Sequence, residues 1–80
     1  MSEKRVATRQ RVLKAGTIVF NRAGGISCTI RNMSKLGACV EVASQVGIPS
    51  DFTLLIEKDD VRRPSRRAWT KGNRMGVVFL

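Results

Sequence analysis

Apolar residues alternate with polar or small ones along most of the chain. In the stretch 26–31, for example, Ile26, Cys28 and Ile30 are separated by Ser27 and Thr29. Side chains two residues apart point to the same face of a β-strand, so this spacing predicts strands with one buried face. No segment keeps a helical period over three turns. The pattern predicts about six short strands, over residues 12–20, 26–31, 38–42, 52–56, 61–70 and 75–79.

Turn-forming residues separate most of these stretches. Gly, Pro, Asn, Asp or Ser occur in each of the segments 21–25, 45–50, 57–60 and 71–73. Short strands joined by tight turns are typical of a small antiparallel barrel or sandwich. A chain of 80 residues has room for one domain. We therefore predict an all-β domain over residues 12–80, preceded by a polar and basic arm over residues 1–11.

Two residues predict local departures from regular strands. Gly16 lies inside the first apolar stretch and predicts a bulge or a bend there. Pro64 has no amide hydrogen, so we expect its strand to begin at an edge or at a bulge. Strict alternation along that strand would place Arg63, Ser65, Arg67 and Trp69 on one face.

The charge of the chain is strongly unbalanced. Fifteen Lys and Arg residues oppose six Asp and Glu residues, giving a net charge of +9. Most of the cations lie in two stretches, Lys4–Arg22 and Arg62–Arg74. Such a field attracts phosphate-bearing partners, whether nucleic acid, nucleotide or anionic lipid, although a basic surface can also serve solubility alone.

Several classes of function are disfavoured by composition. The chain has no histidine, which is the commonest general base and the commonest metal ligand, so we expect no enzyme, catalytic residue, metal or cofactor. Cys28 and Cys39 are too few for a disulfide framework, and we expect free thiols. No apolar run is long enough to span a membrane and no signal-peptide core is present, so we expect a cytoplasmic protein without a membrane partner.

Two segments combine residues suited to binding an anionic nucleotide. The first is the arm, in which Arg5 and Arg9 offer planar donor forks that fit phosphate oxygens or a guanine edge. The second is the segment Asn32–Gly37, in which Asn, Ser and Gly are equally typical of an ordinary structural turn. As a functional element, this polar turn would present amide, hydroxyl and backbone groups to a purine.

Taken together, these segments resemble the PilZ domain family. Arg5-x-x-x-Arg9 is similar to the RxxxR motif on that family's N-terminal arm, and Asn32-x-Ser34-x-x-Gly37 is similar to its (D/N)xSxxG motif. Lys4 matches the basic residue that often precedes the first arginine. The segments 67–70 and 75–79 look like the closing hairpin of the family, so the resemblance covers nearly the whole chain.

The resemblance implies a six-stranded antiparallel barrel that binds cyclic di-GMP, as a monomer or as an intercalated dimer. The arginines of the arm would close over the ligand, and the polar turn would hold a guanine from the barrel side. A tryptophan touches guanine in some members, and the remaining basic residues of the arm would be auxiliary. The ligand-binding residues so predicted are Lys4, Arg5, Arg9, Arg11, Asn32, Ser34, Gly37 and Trp69.

The sequence departs from the family pattern in two respects. Asn32 stands where Asp is commoner, and an amide accepts through one oxygen only. The sequence ends at Leu80, without the C-terminal helix of many members, and an open apolar barrel end could be covered by a second copy or by another protein.

The resulting hypothesis is a single-domain receptor or adaptor. Cyclic di-GMP would order the arm, and the signal would pass to a separate effector protein or through a homo-oligomer. One alternative is a basic barrel that binds single-stranded nucleic acid, which we disfavour because Trp69 is the one candidate stacking residue. The other is a degenerate PilZ domain that serves only in protein interaction, although such members lack the arginines and the polar turn.

Overall fold

A computed structural model of the chain describes residues 10–20 and 24–80. All regular structure in these ranges is β-strand, which confirms the predicted fold class. Among the described residues, no helix has the length and apolar character needed to cross a membrane. The strands are β1 (Gln10–Val19), β2 (Gly25–Met33), β3 (Gly37–Val42), β4 (Asp51–Ile56), β5 (Val61–Lys71) and β6 (Arg74–Phe79).

The strands form a closed antiparallel barrel in the order β1-β2-β3-β6-β5-β4. Closure comes from β1, whose residues Gly16 to Val19 pair with Ile56 to Thr53 of β4. The sequence pattern is compatible with either a barrel or a sandwich, because alternation fixes the faces of a strand and not its neighbours. The structure establishes the six-stranded barrel.

The barrel interior is filled by the residues that alternate in the sequence. Ile18, Ile30, Val40, Leu54 and Met75 each have 0% of their surface exposed, and they come from five different strands. Burial of such aliphatic side chains is the main favourable contribution to folding, at roughly 1.5–3 kcal/mol per fully buried residue.

The predicted bulge at Gly16 is wrong. Gly16 pairs regularly with Cys28 on one side and with Ile56 on the other, and the irregularity in β1 lies between Arg11 and Lys14. A Cβ atom at Gly16 would be 3.1 Å from both the Cys28 Sγ and the Ile30 Cδ1. The glycine therefore serves close packing inside the barrel.

Pro64 occupies the kind of edge position that the sequence predicts. Its carbonyl accepts a hydrogen bond of 2.8 Å from the Leu80 amide, on the β6 side of β5. The nitrogen of a strand residue points to the same side as its carbonyl. Because the β5–β6 ladder begins only at Ser65 and Phe79, the Pro64 nitrogen lies just beyond the end of that ladder, where its missing amide hydrogen does not interrupt the pairing of β5 with β6.

Two strand boundaries differ by two residues from those predicted, and the other differences are of one residue. β1 begins at Gln10, so Gln10 and Arg11 pair with Met33 and Asn32, whereas the sequence assigns them to the arm. Residues 1–9, the rest of the predicted arm, lie outside the described residues. β2 continues to Met33, so Asn32 belongs to a strand and not to the turn that follows it.

We expect Leu54→Ala to lower the free energy of unfolding by about 2–5 kcal/mol, because the truncation leaves a cavity in the barrel core. Leu13→Ala is the matched control, since Leu13 is 76% exposed while Leu54 is 0% exposed. The control should change stability by about 0.5 kcal/mol or less. Urea denaturation measures both, and equal losses in the two variants would contradict the assigned core.

Candidate ligand-binding face

One row of residues crosses the outer face of the barrel through four adjacent strands. The pairing runs from β2 to β5 as Asn32–Cys39, Cys39–Gly76 and Gly76–Trp69. Paired residues of neighbouring strands lie side by side on one face. We call this set the Asn32–Trp69 row. It brings together two predicted ligand-binding residues, Asn32 and Trp69, that are far apart in the sequence.

The row faces outward because its neighbours along the strands face inward. Val40 and Met75, adjacent to Cys39 and Gly76, are 0% exposed in the core. Successive residues of a strand point to opposite faces, so Cys39 and Gly76 face outward.

The row is wide enough to hold a ligand of several rings. With strands about 4.8 Å apart, three spacings separate Asn32 from Trp69, so the outer surface between them is roughly 14 Å wide.

A bulge in β2 brings Asn32 to this face. The register with β3 shifts between Ile30 and Asn32, so Arg31 is an additional residue there. Ile30 is buried inside the barrel, and without the shift Asn32 would also point inward. The Arg31 guanidinium lies 3.1 Å from the Glu41 carboxylate, which stabilises the bulged segment on the outer side.

A second bulge, in β5, brings Trp69 to the same face. Arg67 pairs with Val77 and Trp69 with the next residue of β6, Gly76, so the register shifts by one residue at Ala68. Val77 is 4% exposed and belongs to the core, hence Arg67 stays on the inner side. The prediction that Trp69 shares a face with Arg67 is therefore wrong, because the sequence pattern does not reveal the inserted residue.

The Trp69 indole lies directly over Gly76. A Cβ atom at Gly76 would overlap the indole nitrogen and the adjoining ring atoms. Gly76 is consequently buried although it faces outward, and 43% of the Trp69 surface remains exposed. A partly exposed indole held over a backbone segment offers a flat surface on which a base can stack.

Asn32 contributes an acceptor without a donor. Its Oδ1 is shielded from solvent and accepts no hydrogen bond from the part of the chain that the structure describes. A buried acceptor left without a partner costs roughly 1–3 kcal/mol. A donor supplied by a ligand or by the arm would remove that cost, which makes Asn32 a suitable contact for an N–H group.

Ser34 and Gly37 form the ends of the tight turn between β2 and β3. The Ser34 amide donates to the Gly37 carbonyl at 2.8 Å, and the Ser34 Oγ accepts from the Leu36 amide at 3.1 Å. The Ser34 hydroxyl still has its own proton to donate. A Cβ atom at Gly37 would overlap the Val77 carbonyl oxygen, so close approach of β3 to β6 requires glycine there.

The predicted site is therefore brought together in part. Asn32, Ser34 and Gly37 lie at one corner of the outer face, and Trp69 lies at the far end of the row. Arg11 occupies the register position opposite Asn32. The predicted residues Lys4, Arg5 and Arg9 lie outside the described residues.

Cys39 and Gly76 lie between the two ends of the row, and the sequence did not predict either of them as a site residue. Gly76 could have been identified, because a single glycine inside a strand pattern often marks a place where another group approaches the backbone closely. Nothing in the sequence identifies Cys39 as a buried residue of the outer face, because its burial depends on its neighbours in other strands.

Titratable groups near the barrel serve packing and pairing. Burial, with a smaller contribution from the Glu57 charge, raises the pKa of the Cys28 thiol to about 11, so this thiol stays protonated in the core at neutral pH. The hydrogen bond from Arg66 at 2.8 Å lowers the pKa of the exposed Asp51 carboxyl.

No protein-family model matches the chain, and no curated protein is significantly similar to it.

We expect Gly76→Ala to displace the Trp69 indole, because the new methyl group would occupy the position of the ring. Trp69 is the only tryptophan, so its fluorescence emission should shift to longer wavelength, with a stability loss of about 1–3 kcal/mol. Gly25→Ala is the control, since a Cβ there meets the Thr17 methyl at 3.1 Å and no ring. Unchanged emission in Gly76→Ala would contradict the placement of the indole.

Proposed function

We propose that this protein is a PilZ-type receptor that binds cyclic di-GMP on the outer face of its barrel and does not alter it chemically. The observation that supports this most strongly is the Asn32–Trp69 row. Two β-bulges orient a polar corner and an exposed indole toward the same outer surface.

The chemistry of the face matches the two kinds of group in the ligand. The Oδ1 of Asn32, which accepts no hydrogen bond from the described residues, can accept one from an N–H group of guanine, and the Ser34 hydroxyl can donate to a guanine acceptor. A guanine also has a flat surface that can stack on the Trp69 indole. Hydrogen bonds to the base edges give specificity, while phosphate contacts give affinity.

Positive charge supplies the phosphate contacts. The net charge of +9 attracts a dianionic ligand, and the arm holds four of the cations, Lys4, Arg5, Arg9 and Arg11. Arg11 pairs with Asn32, and Gln10 pairs with Met33. Charge-assisted hydrogen bonds from arginine to phosphate are among the stronger polar contacts.

The output of such a receptor is a changed surface. Closure of the arm over the bound ligand would cover part of the outer face and neutralise part of its positive field. The partner that detects this change is a separate effector protein or a second copy of the chain. The protein therefore acts as an adaptor in cyclic di-GMP signalling.

Binding of single-stranded nucleic acid is a weaker candidate, although the positive charge suits it. Such proteins stack successive bases on several exposed rings. Of the four aromatic residues, Phe52 is buried and Phe20 and Phe79 pack against the core, which leaves Trp69 alone as an exposed ring.

We expect Ser34→Ala and Arg9→Ala each to weaken cyclic di-GMP binding by at least about tenfold, since a hydrogen bond involving a charged group contributes roughly 1.5–3 kcal/mol. Calorimetric titration of the full chain at fixed salt measures the affinity. Ser44→Ala is a matched control for Ser34→Ala, because the Ser44 Oγ accepts from the Val46 amide at 3.1 Å in the same kind of turn. Arg62→Ala is the control for Arg9→Ala.

Both controls should retain the affinity of the unmodified chain. If the unmodified chain gives neither heat nor a shift in melting temperature, cyclic di-GMP is not its ligand and the proposal fails. Salt-sensitive binding of an oligothymidine in place of cyclic di-GMP would establish the nucleic-acid alternative.

A further inference from the structure

Two cations stand directly opposite each other at the β5–β6 turn. Lys71 and Arg74 are paired across the strands, joined by the two-residue turn Gly72-Asn73. Gly72 has a φ of 60°, which is the conformation that glycine supplies at the first position of a tight hairpin turn. The short turn fixes the register, so the two side chains leave the backbone on the same face about 5.5 Å apart.

No acid balances this pair within the described part of the chain. Arg74 has Glu41 as its neighbour in β3, but the Glu41 carboxylate lies 3.1 Å from the Arg31 guanidinium and is engaged there. Neither Lys71 nor Arg74 forms a salt bridge with a described residue, and both are exposed. Like charges placed directly opposite each other destabilise a sheet, so this arrangement has no structural benefit.

The cation pair lies beside the Trp69 indole. Lys71 follows Trp69 by two residues in β5, and Arg74 precedes Gly76 by two residues in β6. Both cations therefore share the outer face with the Asn32–Trp69 row, about 7 Å further along the strands. An exposed ring next to two cations that have no acidic partner among the described residues is an arrangement that fits a base with a phosphate attached.

We propose that Lys71 and Arg74 form a phosphate-binding pair at the Trp69 end of the face. A phosphate of the ligand lies between the ammonium and the guanidinium while a guanine stacks on Trp69. This inference deepens the proposed function and rests on it. It adds a phosphate contact on the barrel itself, at the opposite end of the row from the arginines of the arm.

The test is calorimetric titration of cyclic di-GMP into the double variant Lys71→Gln/Arg74→Gln. The control is Lys58→Gln/Arg62→Gln, which also removes one Lys and one Arg, both exposed, at and just after the β4–β5 turn. We expect the Lys71/Arg74 variant to bind at least about tenfold more weakly, because two charge-assisted contacts are lost. The control should bind within about twofold of the unmodified chain, as expected for distant charges screened by salt.

Melting temperature separates a binding role from a structural one. Because removal of the cation pair relieves repulsion, the Lys71/Arg74 variant should melt at the same temperature as the unmodified chain or higher.

Equal affinity in the unmodified chain and in this variant would overturn the phosphate-binding pair and leave the proposed function standing. Absence of binding by the unmodified chain would overturn the proposed function and this inference with it. An equal loss of affinity in both double variants would show a general effect of net charge and would also overturn the pair.

Discussion

The residue inserted at Ala68 is the feature on which the candidate face depends. It shifts the β5–β6 register by one, so that Trp69 lies opposite Gly76 on the outside of the barrel. A one-residue shift in a strand exchanges inner and outer positions, because side chains alternate with a period of two. The shift leaves Gly76, which has no side chain, beneath the indole.

The same principle operates in β2, where Arg31 is inserted ahead of Asn32. Two independent bulges thus bring a polar residue and an aromatic residue to one row. Bulges interrupt regular pairing and are over-represented near functional sites, where they redirect a side chain. The β2 bulge is also compatible with a filled core, since Ile30 before it is fully buried and Met33 after it packs against the core.

The strands of this protein could be predicted from the sequence, and the details of the face could not. Alternation locates each strand because burial on one face is a local property of the sequence. The face of Trp69 depends on a pairing with β6, and the burial of Cys39 depends on β2 and β6, so both are properties of the assembled barrel. Gly16 illustrates the same limit, since its close contacts come from β2 and β4.

Charge is distributed unevenly around the barrel. Three of the acidic residues lie in the β4–β5 turn, where Asp59 lies 2.8 Å from the Lys14 ammonium and Glu57 accepts a 2.6 Å hydrogen bond from Thr17. This turn is thereby held against β1. The outer face around Trp69 keeps Lys71 and Arg74, so a phosphate-bearing ligand would be attracted there and not toward the acidic turn.

The most direct test of the ligand-binding face is a two-dimensional ¹H–¹⁵N NMR titration of the full chain with cyclic di-GMP. Binding at the Asn32–Trp69 row should give large shifts for the amides of residues 32–39 and 69–76 and for the Trp69 indole N–H, and little change in the turn 57–60. Absence of shifts, or shifts confined to residues away from the Asn32–Trp69 row, would contradict it.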